Sequence, residues 1–206
     1  KNELWGDVPS VALGHSFGAV LSALMMANHP DLFDRGILLD PVFLNKSLMR
    51  MVVLSEPFGL LNFTSLARRA KSRRSEWSDK QEAFEYFHHR GMFKGWEDDC
   101  LWSYINHALK QTTHGVRLKC PPRRESAIFA SFPKRLWSTL DRLNTPTHIL
   151  YGDNSYPFVL KSAGALHQSN NSVVAESMSG RHCFMQEQPE CSAKKIHELL
   201  SRAVGK

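Results

Sequence analysis

The sequence predicts an α/β fold: a parallel sheet with helices on both faces, interrupted by a helical insert. Three observations predict it. Short, β-branched apolar runs alternate with helical runs at both ends of the chain. The first strand, helix and second strand fit into about 33 residues, the size of one βαβ unit. From about Asn45 to Asn144 the pattern is helical and offers no convincing strand. The expected organisation is a core segment at 1–44, an inserted cap or lid at 45–144 and a second core segment at 145–206.

Composition sets the class. With 206 residues, 42% hydrophobic, 22% charged and 10% aromatic, the chain is neither disordered nor collagen-like. A chain of this size buries about 70% of its unfolded surface and needs neither disulfide nor metal to fold. Cys100, Cys120, Cys183 and Cys191 form no Cys-x-x-Cys pair, so they read as reduced thiols of a cytoplasmic protein. The longest apolar stretch, residues 17–27, is shorter than the roughly 20 residues of a membrane span, and no stable membrane insertion is expected.

Residues 8–14 form the first predicted strand. They run into Gly14-His15-Ser16-Phe17-Gly18 and a helix over 19–28, which His29-Pro30 stops. Residues 36–41 read as a second buried strand ending in a proline. Strands at 147–152 and 172–176 follow, each succeeded by a helix, near 157–166 and 189–204. In the insert, Ser78-Asp79-Lys80-Gln81 reads as a capping box for a helix running to His89, with Gly91 as its stop. Glu97, Asp98 and Asp99 suit the positive end of another helix.

Eight of the 21 aromatic residues lie between Trp77 and Tyr104. The plain explanation is a small helical core. The functional one is that Phe87, Phe93, Trp96 and Trp102 line an apolar substrate pocket. Between Lys46 and Arg142 there are 18 Lys and Arg against 10 Asp and Glu, a net of +8, which leaves −2 for the rest. The densest run, Arg68, Arg69, Lys71, Arg73 and Arg74, reads as a solvated helix face. Without zinc-finger or RNA-binding motifs beside it, no nucleic-acid partner is expected.

Gly-x-Ser-x-Gly arises by chance in about one chain in fifteen of this length, so its setting matters more than its letters. Here Ser16 falls between a buried strand and a helix, where a tight turn lifts Oγ clear of the sheet. Gly14 and Gly18 are expected to be glycine because side chains there would crowd their neighbours. The following helix aims free N–H groups at the same spot, which makes the Phe17 N–H the natural oxyanion donor.

With these features the sequence resembles the α/β-hydrolase superfamily, and residues 14–19 look like its nucleophile elbow. The resemblance covers most of 8–44 and 145–204. It implies a catalytic histidine after the last core strand, in a stretch similar to Gly180-Arg181-His182-Cys183-Phe184-Met185-Gln186-Glu187-Gln188-Pro189, and so points to His182 among ten histidines. The other nine read as surface or packing residues. The acid departs from the commoner pattern, Gly-x-x-Asp, because Ser155 occupies that place after Gly152. Two carboxylates remain. Asp40, in a Leu-Asp-Pro setting similar to that of some lipases, is the first choice and Asp153 the alternative, since either strand end can serve the histidine Nδ1–H.

The resemblance further implies that the strands present are the fifth to eighth of an eight-stranded sheet. The chain begins at Lys1 and reaches the elbow within fifteen residues, so it reads as an N-terminally truncated fragment, expected to be poorly soluble and nearly inactive alone. It would lack the second oxyanion donor, a loss costing about a hundredfold to a thousandfold. A serine in the elbow argues against the Asp nucleophile of epoxide hydrolases and dehalogenases. The implied function is a serine hydrolase of an ester or thioester of an apolar acyl substrate, working without cofactor or metal. Two alternatives share the pocket: a C–C bond hydrolase, and a ligand-binding protein without turnover. No oligomeric state is implied.

Overall fold

The computed structural model describes residues 8–55 and 65–201. The first elements are β1 (Val11–His15), α1 (Phe17–Asn28) and β2 (Arg35–Leu39). Next come α2 (Lys46–Ser55), α3 (Ser65–Ser72), β3 (Glu76–Trp77), α4 (Lys80–Phe87) and α5 (Asp98–Ala108). They are followed by β4 (Leu109–Thr112), β5 (Gly115–Leu118), α6 (Pro122–Phe129) and α7 (Leu136–Leu140). The chain closes with β6 (Thr147–Gly152), α8 (Pro157–Ser169), β7 (Val173–Met178), α9 (Phe184–Glu187) and α10 (Pro189–Ser201). The sequence extends this last helix to Val204, and residues 202–204 lie outside those described. Among the described residues no helix is long and apolar enough to cross a membrane.

The elements group into two compact units, residues 1–46 with 135–206, and residues 47–134. The first holds a four-stranded sheet in the order β1-β2-β6-β7, with every neighbour parallel. All five residues of β2 are buried, as expected for a central strand covered on both faces.

Alternation along the strands assigns the faces. On one face stand Gly14 and Gly36, and α1 lies against them. A Cβ at Gly14 would stand 2.7 Å from the Gly18 carbonyl oxygen and 2.8 Å from the Ala19 Cα, so only glycine lets the helix sit this close. A Cβ at Gly36 would meet Met26. On the opposite face Ile37, Leu39 and Leu150 pack with Phe184 and Leu199 of α9 and α10. The buried Arg35 guanidinium donates to the Leu199 carbonyl there.

The first unit resumes ten residues before the boundary expected at 144. Leu136, Leu140 and Leu143 are buried, α7 packs on α1, and Trp137 Nε1–H donates to the Leu44 carbonyl at 2.8 Å. A short leucine-rich turn after a long helical stretch gives no sign in sequence of the unit to which it belongs.

The second unit is helical with one correction. It contains a three-stranded antiparallel sheet, β3-β5-β4, that the sequence does not announce. Its strands are two and four residues long, below the length at which alternation is legible. Gly115, at φ 134°, closes the β4–β5 hairpin, and a Cβ there would stand 2.1 Å from the Trp77 carbonyl oxygen. The start of α4 is also shifted by one residue. Asp79 is the cap, accepting from Glu82 N–H at 2.8 Å, and Glu82 reaches back to the Ser78 N–H at 2.7 Å. The Ser78 N–H, then Arg74 and the Ser78 hydroxyl, all donating to this carboxylate, lower the Glu82 pKa to about 2. The basic run divides. Arg68, Arg69 and Lys71 are exposed on α3, whose Ala67 and Ala70 are buried, whereas Arg73 pairs with Glu125 at 2.7 Å and Arg74 with Glu82 at 2.5 Å.

The aromatic residues build this unit's core. Phe87, Phe93 and Trp96 are 3, 5 and 9% exposed, with ring centroids 4.7 Å apart for Phe87–Phe93 and 4.8 Å for Phe93–Trp96. Trp102, half-buried, stacks on Phe84 at 4.5 Å. Trp96→Ala is therefore expected to cost the unit about 3–5 kcal/mol, the usual loss for a large buried aromatic. Urea unfolding followed by tryptophan fluorescence measures it. A loss under about 1 kcal/mol, typical of a surface site, would contradict this packing.

Candidate active site

The site is assembled at the ends of three strands and one loop, all in the first unit. At the end of β1 the chain turns sharply through Ser16, whose φ of 55° and ψ of −121° are strained for a residue with a side chain. The Ser16 N–H donates to the Leu39 carbonyl at 2.9 Å, which pins the turn to β2. α1 starts at the next residue, so the Phe17 N–H is one of the first-turn donors that find no acceptor within a helix. Gly18 does not behave as expected: a Cβ there meets nothing within 4 Å, because this second helical position is exposed. Of the two motif glycines, only Gly14 is demanded by close approach.

β2 ends at Leu39, and Asp40 follows with a φ of 44°, a left-handed conformation that Asp tolerates better than most residues. Its side chain is fully buried. Three donors meet its carboxylate. Gly152 N–H donates to Oδ1 at 2.8 Å, while Ser155 Oγ at 2.5 Å and His182 Nδ1 at 2.6 Å both approach Oδ2. Facing a carboxylate oxygen, His182 Nδ1 carries the hydrogen. Nε2 is then the acceptor and lies 2.9 Å from Ser16 Oγ. The His182 side chain is 16% exposed, and the Tyr156 ring lies 5.1 Å from its own. Burial first, then Cys183 and Asp40, raises the Tyr156 pKa, so that phenol stays protonated.

Ser16, Asp40 and His182 are thus joined in one chain of hydrogen bonds. Asp153 stands elsewhere. Its Oδ1 accepts from Gly180 N–H at 3.0 Å and from Asn154 Nδ2 at 2.8 Å, and its own N–H donates to the Met178 carbonyl. It braces the loop that carries His182 without meeting the imidazole. Glu187 ties the same loop from the other side, accepting from Arg181 N–H at 3.2 Å.

Three contributors escape the sequence reading. Ser155 fills the place where the commoner pattern puts the acid, and from there its hydroxyl donates to the Asp40 carboxylate. Gly152 both donates to Asp40 and lets the loop pass, since a Cβ on it would stand 2.4 Å from the Arg181 carbonyl oxygen. His15 reads in sequence as a surface or packing residue, yet its Nε2 lies 2.9 Å from the His182 carbonyl oxygen. The alternation that places odd residues of β1 on the α9–α10 face is the signal that could have found it. Among the described residues no three His, Cys, Asp or Glu side chains gather as metal ligands would.

Comparison with known proteins matches this architecture. The sequence model of the alpha/beta hydrolase family matches residues 2–190. No curated relative matches the chain significantly. Among solved structures it is similar to the peroxisomal alpha-beta-hydrolase Lpx1 of Saccharomyces cerevisiae, with TM-score 0.75 and 20% identity, covering 98% of this chain and 55% of that one. It is similar to the thioesterase domain of the curacin biosynthetic pathway, with TM-score 0.68 and 18% identity, over 93% of this chain and 67% of that one. It is also similar to the esterase Rv0045c of Mycobacterium tuberculosis, with TM-score 0.62 and 18% identity, over 97% of this chain and 63% of that one. At such identities these likenesses speak to fold, and the chain spans 55 to 67% of the length of these three structures. The parallel sheet with its sharp turn after β1, together with a family match running through most of the sequence, shows that the chain belongs to the alpha/beta hydrolase family.

Proposed function

We propose that the protein is a serine hydrolase that cleaves an ester or thioester through an acyl-enzyme. The observation that carries this reading is the unbroken line from Asp40 Oδ2 through His182 to Ser16 Oγ, at 2.6 and 2.9 Å. Ser16 Oγ attacks the carbonyl carbon as His182 Nε2 takes its proton. The imidazolium so formed is stabilised by the buried Asp40 carboxylate, which also holds the tautomer that can accept the proton. The developing oxyanion is met by the Phe17 N–H at the positive end of α1. His182 returns its proton to the leaving oxygen or sulfur, which departs and leaves the acyl group on Ser16. Water, deprotonated by the same imidazole, then releases the acid. The insert's aromatics are taken up with one another, so the reading rests on the reacting groups and extends to esters and thioesters alike.

The test is covalent capture. A fluorophosphonate should add once to the protein by intact mass, and Ser16→Ala should abolish the addition. A folded protein that takes up no reagent would overturn the hydrolase reading and leave the alternative of a ligand-binding member of the fold.

A further inference from the structure

The His182 ring is fixed at both nitrogens, but a ring is only as well placed as the backbone that carries it. That backbone is a tight loop, with Gly180 at φ 125° and the four-residue α9 beginning at Phe184. From the elbow, the His15 side chain reaches the backbone of this loop at the histidine itself. We propose that His15 is a positioning residue: its Nε2–H holds the His182 carbonyl and so sets where the imidazole stands between Asp40 and Ser16. The proposal rests on the serine-hydrolase reading and adds to it the residue that locks the two catalytic segments together.

Four observations carry it. His15 is the last residue of β1 and pairs with Leu39, the residue before Asp40, so it stands at the point where the first two strand ends meet. Odd positions of β1 share a face with Ile37 and Leu39, the face on which α9 packs, and this directs His15 to the loop preceding α9. The bond spans 167 residues of chain and joins the residue before the nucleophile to the residue that activates it. A carbonyl only accepts, so His15 Nε2 must carry the hydrogen, which fixes this tautomer as the geometry fixes that of His182. The rings of the two histidines lie 4.9 Å apart with planes tilted by 40°.

The electrostatics agree with a neutral role. Burial lowers the His15 pKa from the ordinary 6.5; His182 lowers it further, while the bond to the His182 carbonyl and the Asp40 charge act in the other direction. The ionisable groups around this pair are His182 on its loop, Asp40 after β2, Tyr156 before α8 and Cys183 before α9. A neutral His15 adds no positive charge beside an imidazole that must itself become positive. The sign follows from proton uptake: below about pH 6.5 the unfolded chain binds a proton at His15 that the folded chain resists, so this group weakens the fold as pH falls towards its lowered value.

The experiment compares His15→Gln with His15→Phe. Glutamine keeps a nitrogen donor at the same reach and does not titrate; phenylalanine keeps the ring and loses the donor. In an ester assay, His15→Phe should lower kcat about tenfold to a hundredfold with KM little changed, the size expected when a catalytic group is misplaced by up to 1 Å. His15→Gln should recover most of that loss, and its acid-side stability should fall less steeply than that of the natural protein. In parallel, imidazole 15N–1H NMR should show His15 protonated at Nε2, and the downfield Nδ1–H signal of His182 should persist in the Gln variant and broaden or shift in the Phe variant. Equal kcat in both variants, or a His182 signal indifferent to either, overturns the proposal. If the natural protein turns over no ester, the hydrolase reading falls by itself and the NMR comparison still decides whether His15 positions His182.

Discussion

Asp40→Asn is expected to lower kcat on an ester by about four orders of magnitude while leaving the fold nearly intact. The amide is almost the same shape, and its oxygen still accepts from Gly152 N–H. Its nitrogen, however, replaces the oxygen that faces both Ser155 Oγ and His182 Nδ1. Ser155 adapts by turning its hydroxyl to accept. His182 adapts by accepting at Nδ1, and its hydrogen then sits on Nε2, pointing at Ser16. In that tautomer the imidazole cannot take the serine proton. Asp153→Asn makes the matching control, because its side chain still accepts from Gly180 N–H and never meets His182. Rates of acyl-ester turnover and of fluorophosphonate labelling measure both variants. A comparable loss in Asp153→Asn would move the acid from β2 to the end of β6.

Gly152→Val should also lower turnover, by less and for a different reason. The new Cβ would stand 2.4 Å from the Arg181 carbonyl oxygen, 2.6 Å from that of Gly180 and 2.8 Å from the Arg181 carbonyl carbon. All three are backbone atoms, so no side chain can swing aside to make room. The loop carrying His182 must shift, and a displacement of about 1 Å at a reacting group costs about a hundredfold. Stability should fall by about 1–3 kcal/mol, as for overpacking in general. Thermal unfolding and kcat measured together separate the two effects. A variant that melts lower but keeps the natural kcat would show that the loop reseats His182 after moving.

The parts legible in the sequence were those that local pattern encodes. Residues 14–18 announce strand, turn and helix because glycine spacing, a β-branched run and an apolar helical run lie side by side. His182 was legible from its flanking glycine, Glu187 and Pro189, and Glu187 has a visible task in tying the loop. The sequence ranks Asp40 before Asp153 on its Leu-Asp-Pro setting without deciding between them. Both stand just past the ends of neighbouring parallel strands, with Leu39 facing Leu150 in register, and only the path of the His182 loop directs the imidazole to one of them. The β3-β5-β4 sheet escaped for another reason: its strands are two to four residues long, and alternation needs more than that to be seen. Gly18 shows the opposite error, a motif letter given a steric reason that the exposed start of α1 does not supply. His15 was missed because a histidine in a strand looks the same in sequence whether it fills space or holds a carbonyl.

The order of the sheet also bears on how the chain reaches this structure. β2 and β6 lie side by side, yet β2 ends at Leu39 and β6 begins at Thr147, so the central pairing of the sheet closes a loop of roughly a hundred residues. Contacts of such long range slow folding, since the entropy of closure is lost before the strand bonds form. Residues 47–134 make a compact unit with a core of its own, and when they collapse first they shorten the stretch that remains to be closed. Were the aromatic cluster around Phe87 and Trp96 to form before the sheet, it would shorten the closure that brings Asp40 to the Gly152 N–H at the end of β6.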